Sequence, residues 1–181
     1  VGEASSGAVN ASGVTGFSGV KASPYNSRFY EPNLAPNAVG YTLFISPTDY
    51  NTYRRLGYSG AERVGWEGIE KWGENYLHGR NAATLYITSA DGTYETILAQ
   101  ANSEPASSIT LTIDKDLQEQ AQAAMDGLPG AIVVMEVDTG RVLAMVSSPG
   151  FDPNWYDLNN LNRQFTSEQP TFNRAAQGTY P

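Results

Sequence analysis

The 181-residue chain contains no cysteine, which removes disulfides, thiolate metal sites and cysteine nucleophiles. Histidine is reduced to one residue, His78, at the predicted end of a helix. A Ser-His-Asp triad would have to use that imidazole, which is read as an ordinary polar helix end. One histidine without cysteine leaves no zinc ligand set. Positive charge is scarce as well: Lys and Arg number 11 against 19 Asp and Glu, a net charge of −8. A phosphate backbone would be repelled, so nucleic-acid binding is excluded. Charged residues make up 17% of the chain, below the usual share of roughly a quarter, and polar surface falls to Ser, Thr, Asn, Gln and Gly. No apolar run approaches the ~20 residues that span a bilayer. Neither a P-loop nor a dinucleotide fingerprint occurs, and no cofactor is expected.

What is present divides into three stretches. Residues 1–27 are rich in Gly, Ser and Ala without a sustained period, and read as a linker or extended arm. Asn10-Ala11-Ser12 there fits the glycosylation acceptor pattern by chance. Ser18-Gly19-Val20-Lys21 fits S-x-x-K by letter, but with glycine between the two and no helical period. Its companions S-x-N and K-T-G are absent, so it is not read as a nucleophile.

Residues 28–104 predict a strand over 38–45 and a helix capped by Ser46, with Pro47 at its first position and Gly57 beyond its end. A second helix follows over 68–79, with Ile69, Trp72, Tyr76 and Leu77 on one apolar face and Gly79 as its stop. Glu67, Glu70 and Glu74 on that helix are read as a solvated acidic face rather than acid/base machinery. Residues 83–101 form a hairpin around Asp91-Gly92.

After "NSEPASS" the texture changes, and a domain boundary is placed near residue 105. "ITLTID" alternates as a half-buried strand. Asp114 caps a helix with Leu117, Ala121, Ala124, Met125 and Leu128 on one stripe. Residues 131–147 make a second hairpin with a three-residue Asp138-Thr139-Gly140 loop, Gly140 being left-handed. Its apolar runs are consecutive, which predicts cover on both faces. A strand, a helix and a hairpin are too little sheet to close a core, so this second unit, 105–181, reads as unfinished.

"SITLTIDKDLQEQAQAAM", "GAIVVMEVDTGRVLAMVSSPGFDPN" and "FNRAAQGTYP", in that order, resemble the opening of a penicillin-binding protein transpeptidase domain. Upstream, "RFYEPNLAPNAVGY" and "GWEGIEKWGENYLHG" resemble two boxes of the non-catalytic N-terminal domain of class B members. The likeness spans residues 25–181. It implies an α+β fold: an elongated pedestal, or dimerisation, domain with a β-hairpin, followed by the first strand, helix and hairpin of an incomplete transpeptidase fold. It also implies a parent serine D,D-transpeptidase that cross-links peptidoglycan through an acyl-enzyme trapped by β-lactams, with the chain stopping just before P-G-S-x-x-K. The fragment itself would hold no catalytic residue. It would position the catalytic domain and bind other cell-wall synthesis proteins, including the polytopic glycosyltransferase, outside the cytoplasm on a parent anchored by an N-terminal helix.

Arg28, Tyr30, Gly40, Gly65, Gly68, Glu70, Gly79 and Arg80 are the structural or interaction candidates, with Arg28, Glu70 and Arg80 read equally as one polar network stitching the pedestal or as ordinary surface ion pairs. Tyr25, Phe29, Tyr30 and Tyr41 are expected to pack inside the pedestal. Three departures from the resemblance stand out. An R-G-x-I-x-D-R box is missing, Pro36-Asn37 stands where a His before Gly40 is usual, and Asn81 follows Arg80 where Gly is common. The alternative is a stand-alone extracytoplasmic scaffold that has lost catalysis. A sensor or β-lactamase relative fits less well, because such proteins lack a pedestal.

Overall fold

The computed structural model describes residues 28–32, 34–60, 62–155 and 169–179. The arm at 1–27, including Tyr25, and the end at Tyr180-Pro181 lie outside the described residues. The architecture is α+β: three two-stranded antiparallel sheets with short helices between them.

The first unit opens with helix α1, Pro36–Val39, where a strand is expected. Pro36 presets the first helical turn, and the Gly40 N–H bonds back to the Pro36 carbonyl at 2.8 Å, closing the turn before a strand can start. Strand β1 is therefore only Thr42–Phe44, paired with β2, Arg63–Gly65, so that Thr42 faces Gly65. Between them lies helix α2, Tyr50–Arg55, which begins later than Ser46 predicts. Ser46 Oγ instead accepts the Asp49 N–H at 3.2 Å and donates to Asp49 Oδ2 at 2.7 Å, capping a turn rather than the helix.

The expected second helix is two helices, α3 (Gly68–Trp72) and α4 (Glu74–Leu77), divided at Gly73. A Cβ on Gly73 would meet Ile109 Cδ1 at 2.4 Å, so the break lets the later segment pack closely. The orientation departs from the expected one. Trp72 and Tyr76 are 67% and 56% exposed, whereas Glu70 is buried. Ile69 and Leu77 keep half-buried positions, Glu74 is half-buried and Glu67 stays exposed, so only part of the acidic side faces inward. Strands β3 (Ala83–Thr88) and β4 (Tyr94–Ala101) form the hairpin expected around Asp91-Gly92. Asp91 accepts the Ser89 hydroxyl at 2.5 Å and the Thr93 N–H at 3.0 Å.

In the second unit "ITLTID" keeps the alternating burial of a strand but joins no ladder. It is tied to residues 142–143 by Thr112 Oγ1 to the Val142 carbonyl and by the Asp114 N–H to the Leu143 carbonyl. Asp114 then caps helix α5, Lys115–Met125, through the Leu117 N–H at 2.9 Å. The packed face of α5 is turned from the expected stripe. Leu117, Ala121 and Met125 cover Ile132, Val134, Ala144 and Val146, while Ala124 and Leu128 face solvent. Gln118 sits fully buried in that seam, its amide accepting the Met145 N–H at 2.8 Å and donating to the Met145 carbonyl at 3.1 Å. The carboxamide occupies the two backbone groups that a neighbouring strand would otherwise satisfy.

Strands β5 (Gly130–Met135) and β6 (Val142–Ser148) pair with Ile132 opposite Val146. The loop holds four residues, Val137–Gly140, because Glu136 and Arg141 are themselves bonded across the hairpin. Cover on both faces of β5 is not seen among the described residues: Val133 and Met135 are exposed, opposite the face that α5 covers. After a short 3₁₀ turn, Pro153–Trp155, the described chain resumes and ends in helix α6, Arg174–Gln177, capped by Asn173.

Candidate interaction site

The candidate residues fall into two groups. The first lies in the core of the pedestal unit. Glu70 Oε2 is 3.4 Å from Arg28 Nε, and the same guanidinium donates to the Leu77 carbonyl at 3.2 Å. Burial, the largest influence, raises the Glu70 carboxyl pKa; Arg28 and the Tyr30 hydroxyl pull it down again. Tyr30 continues the chain of contacts, its hydroxyl meeting Thr42 Oγ1 at 3.4 Å. Burial is also what pushes the Tyr30 phenol up to about 12. Arg63 closes the far side by donating to Thr42 Oγ1 and to the Thr42 carbonyl at 3.0 and 2.6 Å. The network thus runs Arg28–Glu70–Tyr30–Thr42–Arg63.

Two glycines allow the helix to sit that close. A Cβ on Gly40 would lie 1.8 Å from the Glu67 carbonyl oxygen, and one on Gly65 would lie 2.1 Å from that of Glu70. Gly68 packs against the Ala38 carbonyl in the same seam. The next carboxylate inward, Glu74, accepts the Gly65 N–H at 2.6 Å and the Tyr58 hydroxyl at 2.7 Å. Burial and the Glu74 carboxylate drive the Tyr58 phenol strongly upward.

The second group sits at the foot of the β3–β4 hairpin. Arg80 and Glu104 exchange both backbone hydrogen bonds, and their exposed side chains pair at 3.7 Å. Gly79 abuts the Glu104 carbonyl. Arg80 therefore stands apart from the Arg28–Glu70 pair: the three residues do not share one network, and Arg80 makes an exposed surface ion pair. Of the aromatic candidates, Tyr30 and Tyr41 are buried, but Phe29 is 81% exposed. Phe29 points out because its neighbour Tyr30 takes the inward position.

Sequence reasoning missed the residues that join the two units. Asn154 Oδ1 accepts the Tyr30 N–H at 2.9 Å, and Asn154 Nδ2 donates to the Tyr30 carbonyl at 2.8 Å. Asn37 Nδ2 donates to the carbonyls of Pro170 and Thr171 at 3.1 and 3.2 Å. Asn173 returns a long contact to the Asn37 carbonyl. Lys115 is ion-paired with Glu31, and Phe151 packs edge-on against Tyr41 with ring centres 5.8 Å apart. Between these ties lies a cavity of about 360 Å³, lined mainly by Asn37, Ile69, Leu111, Ile113 and Met145. Asn37 Oδ1 is buried beside it without a hydrogen-bond partner among the described residues. Among the described residues no cluster of three or more His, Asp or Glu could hold a metal. The asparagines thus tie the polar core around Glu70 and Tyr30 to residues 154 and 170–173.

The sequence matches the family described as the Penicillin-binding Protein dimerisation domain over residues 11–111. The chain belongs to that family. The match extends on both sides of the pedestal core described above. Similarity to individual proteins runs further. The chain is 30% identical over 171 residues to the peptidoglycan D,D-transpeptidase MrdA of Acinetobacter baumannii, covering 91% of this chain and 25% of that protein. Against MrdA of Escherichia coli K12 the identity is 30% over 175 residues, covering 91% and 28%. The chain thus spans little more than a quarter of the relatives it matches. Among solved structures, the PBP2 of the Helicobacter pylori complex with MreC superposes with a TM-score of 0.79 at 26% identity, covering 100% of this chain and 35% of that one. Pseudomonas aeruginosa PBP2 in complex with WCK 5153 gives a TM-score of 0.64 at 32% identity, covering 82% and 30%. The class B penicillin-binding fold expected from the sequence boxes is therefore the fold of this chain. No described helix is long and apolar enough to cross a membrane.

Proposed function

We propose that this chain is the non-catalytic front of a cell-wall D,D-transpeptidase of the MrdA type. Residues 28–104 act as its pedestal, 105–181 as the leading edge of its transpeptidase domain, and 1–27 as the arm before them. The supporting observation is that similarity to D,D-transpeptidases extends through both units, over 91% of the chain. The asparagine ties give that continuity a physical purpose. The pedestal grips residues 169–173 through Asn37 and residue 154 through Tyr30, so the strap leading toward the expected nucleophile is held at fixed height above the pedestal core.

In this reading the serine that attacks the D-Ala-D-Ala amide, its lysine base and the oxyanion donors belong to sequence beyond the described residues. The chain contributes placement and partner contacts outside the cytoplasm, in a protein held at the membrane. A solved relative is bound to MreC, and a partner of that kind, together with a polytopic glycosyltransferase, is the expected company of the pedestal. The exposed face of β5, at Val133 and Met135, is where the remainder of the transpeptidase domain would close the core. A fluorescent β-lactam tests the reading. The complete parent should be labelled and lose the label when its S-x-x-K serine is replaced by alanine, and this chain alone should stay dark. Labelling of this chain, or none of the parent, would overturn it.

A further inference from the structure

Ser147, the last residue but one of β6, is 3% exposed, and its hydroxyl serves a distant segment of the chain. Its Oγ donates to the Phe172 carbonyl at 3.1 Å and accepts the Arg174 N–H at 3.0 Å, across 25 and 27 positions of sequence. A single oxygen thus holds two backbone groups that flank Asn173. A hydroxyl is the shortest side-chain group that can do so, being donor and acceptor at one atom.

Arg174 opens helix α6, and the first N–H groups of a helix find no partner within it. Asn173 Oδ1 takes those of Ala175 and Ala176 at 3.1 and 3.2 Å. Ser147 takes the one that remains, that of Arg174. A helix as short as Arg174–Gln177 has too few internal bonds to fix its own place. It packs against β5 and β6, and the Ser147 hydroxyl sets where along β6 its first turn begins. The support is stiff. Ser147 is paired with Ala131 of β5, α5 covers the adjoining Ala144 and Val146, and Gln118 holds Met145 from that helix. From the pedestal, Asn37 grips the same strap at the Pro170 and Thr171 carbonyls.

We infer that Ser147 is a positioning residue for acylation: it pins the segment that leads into the reactive serine and so fixes where that serine stands over the sheet. This rests on the transpeptidase reading, in which P-G-S-x-x-K follows Pro181. Attack on a carbonyl carbon requires the nucleophilic oxygen within roughly 3–3.5 Å of it, and a displacement of about 1 Å can cost on the order of 100-fold in rate. Ser147 touches no reacting atom. Its hydroxyl acts through the backbone of residues 172–174. Without it the Phe172 carbonyl and the Arg174 N–H lose a shared partner beside a buried strand end, and the strap can slide along β6 before the serine is reached.

The test uses the complete parent and the time course of its acylation by a fluorescent β-lactam. Ser147→Ala should lower the limiting acylation rate at least about tenfold, while the β-lactam concentration that gives half of that rate stays near its native value. Ser147→Val and Ser147→Thr isolate the hydroxyl at equal shape. The valine variant should be slow, and the threonine variant should recover most of the native rate. A merely structural role would lower the amplitude of labelling, which counts folded molecules, and leave the rate of those that react unchanged. Asp114→Ala, which removes the α5 cap in the same unit, is the control for that behaviour. A native rate in the alanine variant, or equal rates in the valine and threonine variants, would overturn this inference and leave the transpeptidase reading standing. An unsubstituted parent that is never acylated would overturn both.

Discussion

Asn154 holds the backbone of Tyr30 by both its N–H and its carbonyl, across 124 positions of sequence. A carboxamide is the one side-chain group that can mimic a strand neighbour in this way, offering an acceptor and a donor side by side. The same device recurs where Gln118 holds both backbone groups of Met145. Each removes the need for a strand at a place where the topology supplies none.

The first prediction follows from that contact. Asn154→Leu should leave the Tyr30 N–H and carbonyl unpaired and cost about 1–3 kcal/mol, read as a lower urea midpoint. The second unit should loosen from the pedestal, so amides of the lead-in segment should exchange faster than those of β1 and β2. Unchanged stability together with unchanged exchange would show that the tie carries no load.

The sequence made much of this architecture legible. Both long hairpins, the Asp114 cap and the α+β class could be read from alternation, turn residues and capping chemistry. The inward turn of Glu70 and Glu74 could not, since a run of glutamates on a helix ordinarily faces water. What reverses the expectation is space: Gly40 and Gly65 remove the side chains that would keep the helix away, and Arg28, Tyr58 and the Gly65 N–H supply partners. The asparagine ties were equally hidden. Asn154 and Asn173 stood within recognised boxes, yet nothing local distinguishes an asparagine that bonds its own turn from one that reaches a distant backbone. Asn37 was noticed only as a departure before Gly40, and it is that residue which reaches the Pro170 and Thr171 carbonyls.

The buried carboxylate gives a pH prediction with a definite sign. Because the folded-state pKa of Glu70 is raised, the folded chain holds its proton more tightly than the unfolded one. Its contribution is therefore most favourable in acid and is lost as pH rises through the folded pKa. Comparing the native chain with Glu70→Gln removes the effects of all other groups. The native chain should gain stability relative to Glu70→Gln as pH falls from neutral through the carboxylate range. Parallel stability curves would refute this.

At the alkaline end the tyrosines act in the same sense. Tyr30 is raised to about 12 and Tyr58 is raised further, chiefly by burial. Their stabilising contribution is complete below the ordinary phenol value and disappears as pH climbs through the folded values. Tyr30 and Tyr58 should ionise only with unfolding. A phenolate absorbance titration should show a late step coinciding with loss of structure. Tyr58→Phe should shrink that step and leave Glu74 Oε1 without its donor, at a cost of about 1–3 kcal/mol. A titration complete before any structural change would contradict both assignments.

Glycine substitutions separate close approach from backbone conformation. A methyl group on Gly65 would lie 2.1 Å from the Glu70 carbonyl oxygen, an atom of the helix backbone that has no rotamer to escape into. Helix α3 must then lift off β2, exposing Val64 and pulling Glu74 from the Gly65 N–H. Gly65→Ala is expected to cost about 3–5 kcal/mol, the range reached when a packed core is overfilled and a buried network broken. Gly57 is the control. Its φ of +97° strains any L residue, but nothing lies within 4 Å of the position a Cβ would take. Gly57→Ala should therefore cost only about 1–2 kcal/mol, the conformational term by itself. If thermal melts place the two variants at the same midpoint, the helix does not rest on Gly65, and the inward glutamates must be held in place by their polar partners alone.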